Sequence, residues 1–223
     1  LINLISLLDF FNYSKNYNYK KKKILIVSHL TNLDQLKNTT DPYFGNTSAK
    51  LKLKKIKFSR ILINHTENDI TPNLFYKKLN KIILPNKLSP KFELSVLTKQ
   101  LFCVIELLML LLKNEINFRV FLQLIISLFD SQTIFALKLE FLVKDLINKI
   151  EPEKIFFTFE GFSWERQLIN ISKKINNKIK CIGYQHTLLT KYHFSIFQRL
   201  AKNYQPDEII CSNYVSLKIL KKK

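Results

Sequence analysis

The side chains best suited to acid–base chemistry fall in one stretch, FFTFEGFSWERQLINISKKINNKIKCIGYQH (156–186). Glu160 ends a phenylalanine-rich run and His186 ends an isoleucine-rich one. A carboxylate and an imidazole brought together can hold, take or deliver a proton near neutral pH. Two further histidines stand in the same position: His29 ends ILIVSH (24–29) and His65 ends RILINH (60–65). Asn213 closes EIICSN (208–213) in the same way. Polar residues follow strands wherever loops are wet, so no single histidine identifies a site. The joint arrangement does point to one.

The apolar runs must be strands for these residues to meet. Besides those at 24–29 and 60–65, KIILP (81–85), KIFFTFE (154–160), IKCIGYQH (179–186) and EIICSN are short and rich in Ile and Phe. Most lack alternation, as strands covered on both faces do. Helical patterns separate them. A short basic helix is expected in SAKLKLKKI (48–56), long apolar helices at 92–113 and 118–130, and an amphipathic one at 133–150. The last carries Phe135, Leu139, Leu142, Leu146 and Ile150 on one stripe and stops before Pro152. Strands alternating with helices imply an α/β fold, a Rossmann-like parallel sheet flanked by helices. Residues 21–213 are expected to form this domain, 1–20 a leading helix continuing from missing sequence, and 214–223 the start of a connection to a further domain.

A helical crossover makes successive strands parallel and brings their carboxyl ends to one edge. Neighbouring strands lie about 4.8 Å apart. His29, His65, Glu160, His186 and Asn213 would then rim one crevice, where open α/β sheets bind ligands. Gly161 permits a sharp turn after Glu160, and Gly183 inside a strand marks a close approach to the backbone. Ser163 is expected to cap the next helix, with Glu165 complementing its dipole. Trp164, Leu168, Ile171 and Ile175 form its sheet-facing stripe, so Trp164 and Glu165 admit both a structural and a substrate-binding reading.

Composition narrows the class. The formal net charge is +19, but only four of the 36 basic residues are arginine, and glycine is reduced to three. Dispersed lysine beside abundant Asn and Ile is the bias of an AT-rich coding sequence. No nucleic-acid-binding spacing appears, and arginine rather than lysine supplies the bidentate fork for bases and phosphates. Nucleic acid is therefore not the expected partner, whereas anionic lipid surfaces and phosphorylated substrates are compatible with the charge. Cys103, Cys181 and Cys211 follow no metal or disulfide pattern and read as buried thiols of a reducing compartment. The most membrane-like stretch, LFCVIELLMLLLK (101–113), is interrupted by Glu106 and too short to span a bilayer. It is expected to be a core helix, with a membrane-surface helix as the alternative. Dinucleotide and Walker loops, a GxSxG elbow and HExxH spacing are all missing.

The sequence FEGFSWERQLI, then IGYQH, then PDEIICSN resembles the E-G-x-x-W-E, I-G-Y-Q-H and P-D-x-I pattern of bacterial surface-carbohydrate biosynthesis proteins related to GT-B glycosyltransferases. The matching region is 156–213, with DPYFG (41–45) as a weaker extension. The last strand departs from the pattern, with Ser212-Asn213 where a small residue, often glycine, is usual. The resemblance implies two Rossmann-like domains about a cleft, this chain carrying the amino-terminal, acceptor-side one. It implies a cytoplasmic enzyme, peripheral at the inner membrane face, that moves a sugar from a nucleotide-sugar donor to a glycan or lipid-linked acceptor. The donor would be held by the missing domain, leaving the fragment inactive alone, with no metal and no other cofactor. Glu160 or His186 would be the base, Glu160 slightly ahead. Gln185, His29 and His65 would bind sugar hydroxyls, with Gly161, Trp164, Glu165 and Asn213 as further substrate contacts. A nucleotide-sugar epimerase of the same fold and a non-catalytic carbohydrate- or membrane-binding module are the alternatives.

Overall fold

The computed structural model describes residues 23–38, 40–66, 81–85, 89–190 and 193–221. The expected leading helix at 1–20 lies outside them. All six apolar runs are strands: β1 (Ile24–Leu30), β2 (Phe58–Asn64), β3 (Lys81–Ile83), β4 (Lys154–Thr158), β5 (Lys180–Gln185) and β6 (Glu208–Cys211). They form one sheet in the order β3-β2-β1-β4-β5-β6. Every pairing is parallel. The chain is thus α/β and Rossmann-like, and the strand order reverses between β1 and β4. At such a reversal the crossovers leave the sheet towards opposite faces, opening a crevice at the carboxyl edge.

The helices are α1 (Thr47–Leu53), α2 (Pro90–Leu112), α3 (Phe118–Leu128), α4 (Ser131–Ile150), α5 (Ser163–Ile175), α6 (Phe194–Phe197) and α7 (Tyr214–Lys221). The main core lies on one sheet face. Leu25, Val27, Ile61, Ile63, Ile155 and Phe157 project there. They meet the stripe Leu139, Leu142, Leu146 and Ile150 of α4, and Leu168 and Ile171 of α5. The period of two along each strand and of three or four along each helix brings the two sets together. Leu30, Leu36, Leu62 and Ile83 form a smaller cluster on the opposite face. Lys81 is buried there, its Nζ donating to the carbonyls of Gln35 (2.7 Å) and Asn38 (2.6 Å). Its pKa falls to about 8, from burial first and then from nearby Arg60.

Two expectations are corrected. The stretch expected as a core helix belongs to α2, which is 23 residues long and mostly uncovered; only Val96 and Gln100 are buried. It is the one helix among the described residues that is long and apolar enough by itself to cross a membrane. Apolarity foretold burial, yet α2 and α3 leave the sheet as a hairpin with most of their apolar side chains exposed. The thiols differ as well: Cys181 is buried and burial pushes its pKa up to about 12, but Cys103 and Cys211 are only partly covered.

The close approach expected at Gly183 is made by Phe159, which crosses from the neighbouring strand exit. A Cβ added at Gly183 would lie 2.7 Å from the Phe159 Cβ and 2.9 Å from its Cγ. Phe159 is fully buried, and the atoms met are its Cβ and Cγ, close to its own backbone. Gly183→Ala is therefore expected to destabilise the fold by about 1–3 kcal/mol, measured by chemical denaturation.

Candidate functional site

The carboxyl ends of β1, β2, β4 and β5 enclose a cleft of about 640 Å³. His29, His65, Glu160 and His186 all line it, as the parallel-strand geometry requires. His193, the fourth histidine of the chain, also lines it, from the loop before α6. The cleft therefore gathers every imidazole in the sequence.

Glu160 and His186 form its centre. The His186 Nδ1 is 3.1 Å from the Glu160 Oε1. The contact has ion-pair distance without hydrogen-bond alignment. The Glu160 side chain is 8% exposed and that of His186 29%, so the imidazole is the more accessible group. The carboxylate is held from below: its Oε2 accepts from the Thr187 hydroxyl at 2.9 Å, and its Oε1 from the Thr187 and His186 backbone N–H groups at 3.3 Å. A buried carboxylate needs such donors.

Glu160 owes its position to the turn that follows β4. One carboxylate oxygen of Glu165, Oε2, accepts the backbone N–H groups of Glu160 (2.9 Å), Gly161 (2.7 Å) and Phe162 (2.9 Å). Burial pushes the Glu165 carboxyl up to about 8, against the opposing pull of these donors. Gly161 takes φ +87, and a Cβ there would be 2.4 Å from the Ser195 backbone carbon. The Ser195 hydroxyl in turn donates to the Glu160 carbonyl at 2.8 Å. Arg166 fixes the same segment through the carbonyls of Ser195 (2.7 Å) and Gln198 (3.1 Å). The run EGFSWER thus sets the Glu160 side chain on the cleft and uses Gly161, Glu165 and Arg166 to hold it.

A second cluster lies beside the first. The His29 Nδ1 is 2.7 Å from the His65 Nε2, and the His29 Nε2 is 2.9 Å from the Thr158 hydroxyl. With both ring nitrogens engaged, His29 positions its neighbour and has none left for a ligand. Its pKa falls to about 4, by burial first and then by the adjacent His65 and His186. Burial also lowers that of His65. Two neutral imidazoles suit a ring-to-ring hydrogen bond, in which one nitrogen donates and the other accepts.

Tyr43 links the clusters. Its ring centroid is 5.1 Å from that of His29 and 4.9 Å from that of His186. It is delivered by the turn DPYFG, whose Asp41 is buried on β1 and β2. The Asp41 Oδ1 accepts from the Ser28 hydroxyl and the Tyr43 and Phe44 N–H groups, and its Oδ2 lies 3.5 Å from Arg60. Trp164, 8% exposed, meets His29 edge-on at 5.2 Å and walls the cleft.

Several residues expected as ligand contacts are engaged by the protein itself. Gln185 is fully buried, with its amide nitrogen turned onto Thr187. Gly161 packs against Ser195, and Glu165, 1% exposed, is a backbone acceptor. Asn213 lies outside the cleft lining and accepts the Ser216 N–H at 2.8 Å, opening α7. Ser163 is the first residue of α5 rather than its cap. Tyr43, Thr158, Thr187 and His193 are site residues that the sequence reading missed. The turn residues Asp41 and Gly45 were the available signal for Tyr43. Among the described residues, no three His, Cys, Asp or Glu side chains are arranged to hold a metal ion. Comparison with protein-family models, curated proteins and solved structures finds no match.

Two outcomes follow from these contacts. Glu165→Ala strands three backbone N–H groups and should cost about 3 kcal/mol or more, with Glu165→Gln milder because it keeps an acceptor; denaturant titration distinguishes them. His29 is neutral in the fold down to about pH 4, whereas the unfolded imidazole protonates near 6.5. The unfolded state therefore binds the extra proton, and the stability held above pH 6.5 is lost as pH falls towards 4. Wild type should lose about 1–3 kcal/mol more than His29→Gln across that window, read from unfolding free energies at matched ionic strength.

Proposed function

We propose that this chain is the acceptor-side domain of a GT-B-type glycosyltransferase of bacterial surface-polysaccharide biosynthesis. It would act on a glycan or lipid-linked acceptor, with the nucleotide-sugar donor held by a second domain across the cleft. The observation that carries this reading is the Glu160–His186 pair, set past the ends of β4 and β5 beside the strand-order reversal and between aromatic walls. Sugars present apolar ring faces with hydroxyls around them. Tyr43 and Trp164 suit the faces, and His65 and His193 suit the hydroxyls. The resemblance of EGFSWE, IGYQH and PDEI supports the same assignment.

On this reading the two members of the pair take separate roles. Glu160 is buried and fully engaged, so it orients the ring and stabilises positive charge on it. His186 is the base, which reverses the order suggested by sequence. Its Nε2 takes the proton of the acceptor hydroxyl as that oxygen attacks the anomeric carbon. The bond from that carbon to the diphosphate breaks, and the electron pair leaves with the diphosphate. Glu160 then faces an imidazolium, which its carboxylate favours.

The test is transfer by the full-length protein, followed as release of nucleoside diphosphate. His186→Ala and Glu160→Gln should each lower kcat about 10²–10⁴-fold with a smaller change in KM. His65→Ala should act mainly on acceptor KM. Unimpaired transfer by both His186→Ala and Glu160→Gln would refute the assignment.

A further inference from the structure

The α2–α3 hairpin carries apolar surface that the fold leaves unused. Leu94, Leu97, Leu101, Ile105, Leu108 and Leu112 recur at three- and four-residue steps along α2, each between 41% and 75% exposed. They form one stripe about 27 Å long at 1.5 Å per residue, on the side away from buried Val96 and Gln100. No residue of α3 is buried. Phe118, Leu122 and Ile126 make one exposed or half-exposed apolar row along it, and Val120 and Leu124 make another, roughly 180° apart at 100° per residue. A soluble surface seldom leaves so much contiguous apolar area uncovered.

We propose that this hairpin docks the protein onto an anionic lipid bilayer surface, embedding at the boundary of headgroups and acyl chains. Three observations select lipid over a protein partner. The apolar rows face several directions, and a fluid medium covers them all, whereas one partner covers one side. Exposed Lys91 and Lys113 bracket the α2 stripe and Arg119 begins α3, where long basic side chains reach headgroups. The chain's net charge of +19 complements an anionic surface. Exposed Glu106 lies about 100° from Ile105, off the stripe.

The hairpin also leads into the cleft. α3 ends at Leu128, exposed Phe129 follows, and Ser131, Gln132 and Phe135 of the next helix line the site. A membrane against the hairpin therefore lies beside the cleft mouth. An acceptor anchored in that membrane would be presented to His186, a consequence that rests on the transferase reading. The docking itself does not.

Vesicle flotation tests the docking with the purified chain. Binding is expected to vesicles containing phosphatidylglycerol, weaker to pure phosphatidylcholine, and reduced by added salt. The combined variant Leu101→Ser, Ile105→Ser, Leu108→Ser should lower affinity at least about tenfold. Its thermal unfolding should be unchanged, because these side chains are exposed. His186→Ala should bind vesicles like wild type, which separates failure of this proposal from failure of the transferase reading. Absence of flotation, equal binding to both vesicle types, or full binding by the triple variant overturns it. So does a concentration-dependent dimer that the triple variant abolishes, when vesicles are not bound; that result assigns the face to a second copy.

Discussion

The site depends on one carboxyl group that serves the backbone. Glu165 draws together the N–H groups of three consecutive residues, Glu160, Gly161 and Phe162, where β4 becomes α5. Without an acceptor there, the turn would bury three unpaired donors, and an alternative exit would reorient Glu160. With it, Glu160 is directed across to the end of β5, where its carboxylate meets His186. The spacing follows from helix geometry: a residue at the third helical position reaches back to the N–H groups before the helix. Glu160 and Glu165 are five residues apart and oppositely employed, one facing His186 and one the backbone.

The remaining geometry is a consequence of parallel pairing. His29 pairs with Ile63 in register, and His65 donates its backbone N–H to the Leu30 carbonyl. The two imidazoles are thereby brought within hydrogen-bonding distance from separate strands. Thr158 reaches His29 from the other side because β4 neighbours β1. Neighbouring strand ends can share a small group only if their registers agree, and the long crossover from β3 to β4 makes β1 and β4 neighbours. This is why residues 29, 65, 158, 160 and 186 assemble into one site although they come from four strands.

The strands and the rim were legible because burial on both faces demands continuous apolar runs, and the polar residue ending each run marks where burial stops. Parity was less legible. Gln185 and His186 are adjacent in sequence, but Gln185 is the last strand residue and points inward, whereas His186 begins the loop. One position decides between a buried amide and an accessible imidazole. Tyr43 could not be placed by local pattern because its position depends on Asp41 meeting Ser28 and Arg60, contacts with no periodicity. The exposure of α2 was hidden for a different reason. Apolar content measures what a helix would gain from cover, and it does not say whether the cover is protein or another medium.

Several buried polar groups hold the segments around the cleft. Asp41 anchors its turn on Ser28 and Arg60, Glu165 lies under the turn after β4, Arg166 sits among carbonyls and Gln185 on Thr187. Burying a charge costs free energy that pairing only partly returns, so well-packed apolar residues there would give equal or greater stability. Apolar packing, however, tolerates several arrangements, whereas a satisfied polar network admits few. Loops at a strand edge have no ladder of their own to fix them. The charges at this edge therefore act as positional constraints: Arg166 fixes the segment at 195–198, that segment contacts Gly161 and Glu160, and Glu160 sets the ring of His186. Rigidity passes along this chain of contacts to the imidazole at its end, which is more accessible than the carboxylate that it meets.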